Sequence, residues 1–331
     1  MKFPIGLSLT MTEYLLRHRI AGTKRYPLVL MLEPTHRCNL QCAGCGRIRE
    51  YRDTLDREMS LDDCIDAVEV TGTPVVTITG GEPLLYSHMK ELVGEVLKRK
   101  RYIFFCTNGL LMEEALGEFQ PHGRFFWNVH LDGTARVHDE ITGRHGSFQK
   151  ALKAVEKALE AGFQVITNTT VYRETDLDDL EQLFTILSSV GVKGILVAPG
   201  FSYSEVDEEI FLTRQEIIEK FRVIRGWTRR FPIMSNPIYL DFCAGLRSLG
   251  CTPWGNPTRN VKGWKSPCYL ITDAHYPTYE EFMEKTDWDY YASGRDSRCK
   301  QCMVHCGYEP TVVRSMSLRD AVRMMLWNIH G

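Results

Sequence analysis

Long apolar runs are missing from this chain: its longest, such as Pro27–Leu32, fall far short of the roughly 20 residues a membrane span needs. The N-terminus lacks a continuous apolar core and a small-residue cleavage site, so no signal peptide is expected. Charge of one sign is missing too. With 40 Lys+Arg against 42 Asp+Glu, the formal charge of -2 predicts no nucleic-acid or other polyanionic partner. No internal repeat or low-complexity tract stands out. The 11 cysteines are odd in number and grouped, which argues against a secreted disulfide framework and suits a reducing cytosol. A soluble cytoplasmic protein, or one peripheral to the inner membrane, is expected. At 331 residues there is room for one large domain with an appendage, or for two.

What the chain does have is three cysteines in eight residues: Cys38, Cys42 and Cys45 in CNLQCAGC. A C-x3-C-x2-C run offers soft thiolates from one short segment, as an iron–sulfur cluster requires. Three ligands leave one iron of a cubic cluster open to a small molecule. The spacing also fits one face of a helix, but Pro34, Gly44 and Gly46 favour a loop. The plain alternatives are three buried small hydrophobes or part of a zinc site, which normally uses C-x2-C pairs and four ligands. A second signal follows in PVVTITGGEPLLY, a β-branched run that breaks at Gly80-Gly81 before Glu82-Pro83. Paired glycines after a strand let the backbone approach a ligand closely, though they also make ordinary turns.

Together, the cysteine run and GGEP resemble the radical S-adenosylmethionine (SAM) superfamily. The resemblance implies a 4Fe–4S cluster on Cys38, Cys42 and Cys45, whose open iron chelates the amino and carboxylate groups of SAM. It also implies that Gly80, Gly81, Glu82 and Pro83 bind the amino group. Short β-branched or apolar runs at Tyr26–Glu33, Val75–Thr79, Tyr102–Thr107, Phe125–Leu131, Gln164–Val171 and Gly194–Ala198 read as buried parallel strands. Helical periodicity lies between them at Leu61–Val70, Met89–Lys98, Phe148–Ala161, Leu177–Val190 and Glu216–Trp227, with Ser60 as an N-cap. The resemblance implies an α/β fold, a partial (β/α)6 TIM-like barrel with a C-terminal twitch-like cysteine-rich extension. The expected parts are an amphipathic arm (1–25), the barrel (26–240) and the extension (241–331).

In such barrels the chemistry lies at the C-terminal strand ends. Asn108 follows the third strand, His130 closes the fourth and Asn168 sits near the end of the fifth. In the superfamily, polar side chains from the fourth and fifth strand ends contact the ribose and carboxylate of SAM, which implies roles for His130 and Asn168. Asp132 reads as a turn cap beside Gly133. Cys106 is either a buried strand thiol or a hydrogen-atom donor to a carbon radical, since S–H is weaker than C–H. Cys64 and Cys243 read as core residues.

A second cysteine set, Cys251, Cys268, Cys299, Cys302 and Cys306, occupies the last third. Glycines and prolines between Cys251 and Cys268 suggest a turn-rich hairpin. Its spacing resembles the opening of twitch and SPASM extensions, which implies one auxiliary cluster held by four of the five. Cys251, Cys268, Cys299 and Cys302 are preferred, and a structural zinc site is the alternative.

The strings KRYPLVLMLEP, CTPWGNPTRNV, PCYL, TDWD and CMVHCGYE resemble the adenosylhopane synthases (adenosyl-hopene transferases) of hopanoid biosynthesis over about residues 10–310. That resemblance implies addition of the 5′-deoxyadenosyl radical to the exocyclic alkene of diploptene, a triterpene hydrocarbon, with SAM as co-substrate. The partners it implies are that hydrocarbon and a one-electron reductant such as flavodoxin or ferredoxin. The alternative is hydrogen abstraction on a peptide or small molecule by a radical SAM enzyme with one auxiliary cluster. Both chain ends are amphipathic and basic, fit for a bilayer interface or for packing against the barrel.

Overall fold

β-Branched and aromatic runs form six short strands that lie side by side in parallel, with amphipathic helices returning the chain between them. The computed structural model describes residues 4–206 and 208–330. In chain order the main elements are α1 (Ile5–Ile20), β1 (Val29–Glu33), α2 (Leu61–Thr71), β2 (Val75–Ile78), α3 (Met89–Lys98), β3 (Tyr102–Thr107), β4 (Phe125–His130), α4 (Ala135–Thr142), α5 (Ser147–Glu160), β5 (Gln164–Val171), α6 (Leu177–Val190), β6 (Gly194–Pro199) and α7 (Arg214–Gly226). The later part adds α8 (Pro237–Cys243), β7 (Thr258–Asn260), β8 (Gly263–Pro267), β9 (Thr272–Tyr276), α9 (His305–Arg314) and α10 (Leu318–His330).

Local chemistry sets the boundaries. Ser60 caps α2, its hydroxyl accepting from the Asp63 N–H at 3.0 Å, and Gly72 ends the helix at φ 59°. The strand order β6-β5-β4-β3-β2-β1 is that of a partial barrel. The sheet does not stop at β1. β7 pairs with it in parallel, Met31 opposite Thr258, and β8 and β9 continue antiparallel to nine strands. The cysteine-rich extension therefore begins as a continuation of the barrel wall. Its expected hairpin is the β7–β8 pair.

Strand alternation separates two environments. On β3, Ile103 and Phe105 face the helices, where Phe105 meets Trp127 and Phe119. Tyr102 and Phe104 face the barrel interior with Val75, Phe126 and Ile166. By the same alternation Cys106 points inward, one step nearer the C-terminal end. α1 plugs the opposite end. Its Leu7 and Met11 join that interior cluster, and its buried Tyr14 donates to the Pro27 carbonyl at 2.9 Å. The barrel thus has a floor at the N-terminal end of its strands and a mouth at the other. Among the described residues no helix is long and apolar enough to cross a membrane.

Candidate active site

The three-cysteine segment leaves β1 and forms a loop, as Pro34 and the glycines suggest. Cys38, Cys42 and Cys45 are free and partly exposed. Arg49 holds the loop from below, its guanidinium donating to the carbonyls of Cys42 (3.0 Å) and Cys45 (2.5 Å). Two tyrosines pack over it. A Cβ on Gly44 would lie 2.3 Å from the Tyr172 hydroxyl, and one on Gly46 would lie 2.3 Å from the Tyr203 ring. Only glycine allows that approach.

The donor set fits a cluster. Burial pushes the Cys38 thiol up to about 11 and Cys42 higher still, and the neighbouring cysteines add to both shifts. Thiols crowded this way stay protonated unless iron takes the place of their protons. Among the described residues no three Cys, His, Asp or Glu side chains close around a single ion point.

The GGEP turn lies against the start of this loop. Gly81 N–H donates to Thr35 O (3.0 Å) and Glu82 N–H to Arg37 O (2.8 Å). A Cβ on Gly81 would sit 2.1 Å from that Arg37 oxygen, and Gly80 has φ 115°. The buried Glu82 carboxylate accepts from Thr107 Oγ1 (2.8 Å), Asn108 N (2.9 Å) and Leu84 N (3.2 Å). It staples the turn to the end of β3, and burial raises it to about 7. Pro83 opens the short helical turn that follows. Asn108 reaches across to the cysteine loop, its Nδ2 2.7 Å from Asn39 Oδ1 and 4.0 Å from Cys38 Sγ.

Inside the mouth, Cys106 accepts from Asn128 Nδ2 at 3.3 Å, and burial pushes its thiol up to about 12. His130 is paired with Asn168 through Nδ1 and with Asp132 through Nε2, the latter at 2.6 Å. Burial alone would lower His130, but the Asp132 charge and these hydrogen bonds raise it to about 9. Asp132 is fully buried and also accepts from Thr170 N at 2.7 Å. Its place is beside His130, and the turn-cap reading of the sequence is corrected accordingly.

Sequence reasoning missed the group that joins the two cysteine sets. Arg47, two residues past Cys45, sends Nε to Glu33 (2.7 Å) and Nη1 to Glu50 (3.0 Å), and donates to the Tyr269 carbonyl. Its guanidinium lies 4.5 Å from the Tyr269 ring centre. Fully buried Lys265 of β8 reaches Glu50 at 3.3 Å. Burial would raise Glu33, but Arg47, His36 and Lys265 hold it down to about 2; burial lowers Lys265 to about 8. C-x3-C-x2-C-x-R was the one available hint, and an arginine there has many other uses.

Next to this junction, Cys268, Cys299, Cys302 and Cys306 share one cluster with Phe201, Tyr203, Tyr269, Leu270, Ile271 and Val304. Cys251 borders it from the main core, where a Cβ on Gly307 would be 2.7 Å from its sulfur. Burial raises all five thiols, Cys299 to about 11 and Cys302 to about 12. Cys64 lies elsewhere and Cys243 behind Met303, its thiol 3.7 Å from the Met303 carbonyl; both are fully buried in the core. The mouth is walled by Tyr172, Phe211, Tyr203 and Phe201, with successive ring centres 6.1, 6.4 and 5.0 Å apart.

Residues 32–187 match the radical SAM superfamily. Over that stretch the chain is similar to radical SAM domains. Residues 195–325 match a family described as a domain of unknown function (DUF3463). Curated relatives of the radical SAM part include GTP 3′,8-cyclase of Clostridium botulinum, 25% identical over 200 residues, 58% of this chain and 63% of that one. Mycofactocin maturase MftC of Mycolicibacterium smegmatis is 31% identical over 170 residues, 50% of this chain and 43% of that one. The chain thus spans about half the length of such relatives. In structure it resembles Streptococcus suis SuiB bound to precursor peptide SuiA, with TM-score 0.65 and 14% identity over 88% of this chain and 73% of that one. It also resembles anSMEcpe with bound AdoMet, with TM-score 0.61 and 14% identity over 92% and 97%. Radical SAM domains take a 4Fe–4S cluster with SAM, and the matched residues include Cys38, Cys42 and Cys45.

Proposed function

We propose that this radical SAM protein is a transferase that adds the 5′-deoxyadenosyl group of SAM to the exocyclic alkene of diploptene, giving adenosylhopane. The observation that carries the reading is the mouth: an aromatic wall over the cysteine loop, with an inward-facing, protonated thiol at Cys106. A rigid hydrocarbon buries well against such rings. Four of the five strings that resemble adenosylhopane synthases meet near this site. They contribute Glu33, Asn260, Tyr269 and Cys302, and Asn260 Nδ2 lies 3.4 Å from Glu33.

When bound, the cluster with SAM supplies one-electron reductive cleavage of the C5′–S bond, giving methionine and the 5′-deoxyadenosyl radical that adds to the alkene. Cys38, Cys42 and Cys45 hold that cluster, and Arg49 and Asn108 fix their loop. His130 and Asn168, at the fourth and fifth strand ends, line the place for the ribose and carboxylate of SAM, with Asp132 fixing the His130 ring from behind. The GGEP turn meets its amino group through Gly80 and Gly81, with Glu82 and Pro83 shaping the turn. Cys106 gives a hydrogen atom to the tertiary carbon radical left by addition: S–H breaks, C–H forms, and one electron and one proton from the reductant and solvent restore the thiol. A flavodoxin or ferredoxin provides the electrons. Four of Cys251, Cys268, Cys299, Cys302 and Cys306 hold an auxiliary iron–sulfur cluster.

A second reading, hydrogen abstraction on a peptide or small molecule, is favoured by the relatives, a maturase and a GTP cyclase among them. Anaerobic incubation of reconstituted protein with dithionite, SAM and diploptene, followed by mass spectrometry, separates the two. An adenosylated lipid is expected. Free 5′-deoxyadenosine with unchanged diploptene overturns the first reading.

A further inference from the structure

Two helices carry apolar stripes on the outside of the molecule. Ile5, Leu9, Leu16 and Ile20 recur at helical spacing on α1, and Leu318, Val322 and Met325 on α10; all seven are between 46% and 86% exposed. An amphipathic helix that buries one face, as α1 does through Leu7 and Tyr14, has no packing reason for a second apolar face. Both stripes belong to the floor end of the barrel. Leu7 of α1 packs there with Val75, Tyr102, Phe126, Ile166 and Met234. Arg323 and Trp327 of α10 line a cavity of about 730 Å³ with Phe231 and Pro232, which lead into the bridge between Ile195 and Ile233 at the start of β6.

Cations collect at the same end. Arg101, Arg124 and Lys193 stand immediately before β3, β4 and β6, and Arg225, Arg229, Arg230 and Arg323 line the cavity. Asp241 pairs with Arg225 and Arg323, and Glu181 pairs with Arg230 at 2.6 Å. Among the described residues, no carboxylate lies within ion-pair distance of Arg101, Arg124, Lys193 or Arg229. In a chain of formal charge -2, this concentration gives the molecule a basic end.

We propose that the floor end of the barrel docks on an anionic phospholipid bilayer, its two apolar stripes at the acyl boundary and its arginines on lipid phosphates. Guanidinium groups match phosphate oxygens two at a time, and helices that combine arginines with an exposed aliphatic stripe suit the interface. Each basic side chain near an anionic surface strengthens binding by about fivefold. The three-cysteine loop lies at the other end, so docking leaves the mouth open to a soluble electron carrier. The docking requires no particular catalytic substrate, and its test contains none.

The test is flotation of the full chain with vesicles of phosphatidylcholine alone and of phosphatidylcholine with phosphatidylglycerol. Flotation with the mixed vesicles is expected to exceed that with the neutral ones by at least about tenfold, and to weaken as salt rises. Leu16→Glu, Met325→Glu and Arg229→Glu are each expected to lower it by about fivefold or more, and Arg229→Gln by less than Arg229→Glu. Unchanged melting temperatures show that these surface variants fold. Equal flotation with both vesicle types, or equal flotation of wild type and all variants, overturns the proposal. So does sedimentation showing that Leu16→Glu dissociates a wild-type dimer, because the stripes then cover one another.

Discussion

Cys106 and His130 share the barrel interior, yet their protons behave oppositely. A thiol pushed up to about 12 keeps its hydrogen throughout the neutral range, as a hydrogen-atom donor requires. Cys106→Ala and Cys106→Ser are both expected to consume SAM while losing most of the saturated adenosylated lipid, read by chromatography and mass spectrometry. An unchanged product ratio and rate removes the role. His130 is raised from about 6.5 to about 9, so its contribution to stability is complete below 6.5 and lost as pH climbs through 9. The melting temperature is expected to fall across pH 7 to 10 in wild type, and His130→Gln to lack that part of the fall. Ligand-type cysteines and strand-end polar residues were legible because their chemistry is local in sequence. Asp132, Glu33, Arg47 and Lys265 were not, because a buried charge is explained only by partners such as Arg47 and Tyr269, which the chain separates widely.

Elements were legible wherever a period repeated often enough. β3 to β6 and helices α3 and α6 fall at or within a residue or two of their sequence-based bounds, since alternating burial and amphipathic stripes persist over several turns or strand residues. β7, only Thr258–Asn260, shows no period at all and exists because β1 offers it an edge. The GGEP turn packs backbone to backbone against the 35–37 segment. Gly81→Ala puts a methyl against a backbone oxygen that has no room to yield. It is expected to destabilise the fold by about 1–3 kcal/mol and to lower iron retained at Cys38, Cys42 and Cys45, read by urea unfolding and iron assay. Full retention of both contradicts the packing described.

At the scale of the molecule, the Glu33–Arg47–Glu50–Lys265 group is where the extension meets the barrel. Lys265→Met leaves Glu50 short of a buried partner and is expected to destabilise by about 3–5 kcal/mol. Pairing it with Glu50→Gln is expected to recover part of that loss in a double-mutant cycle, whereas strict additivity means the two side chains are uncoupled. The plug formed by Leu7 and Met11 reaches further than stability. A vessel stoppered at one end fills and empties through a single opening. Under the proposed function, SAM and the hydrocarbon would both have to pass that one opening, so the order in which they load would matter. A compulsory order would then show as inhibition by saturating hydrocarbon, a bulky lipid corking the mouth ahead of SAM.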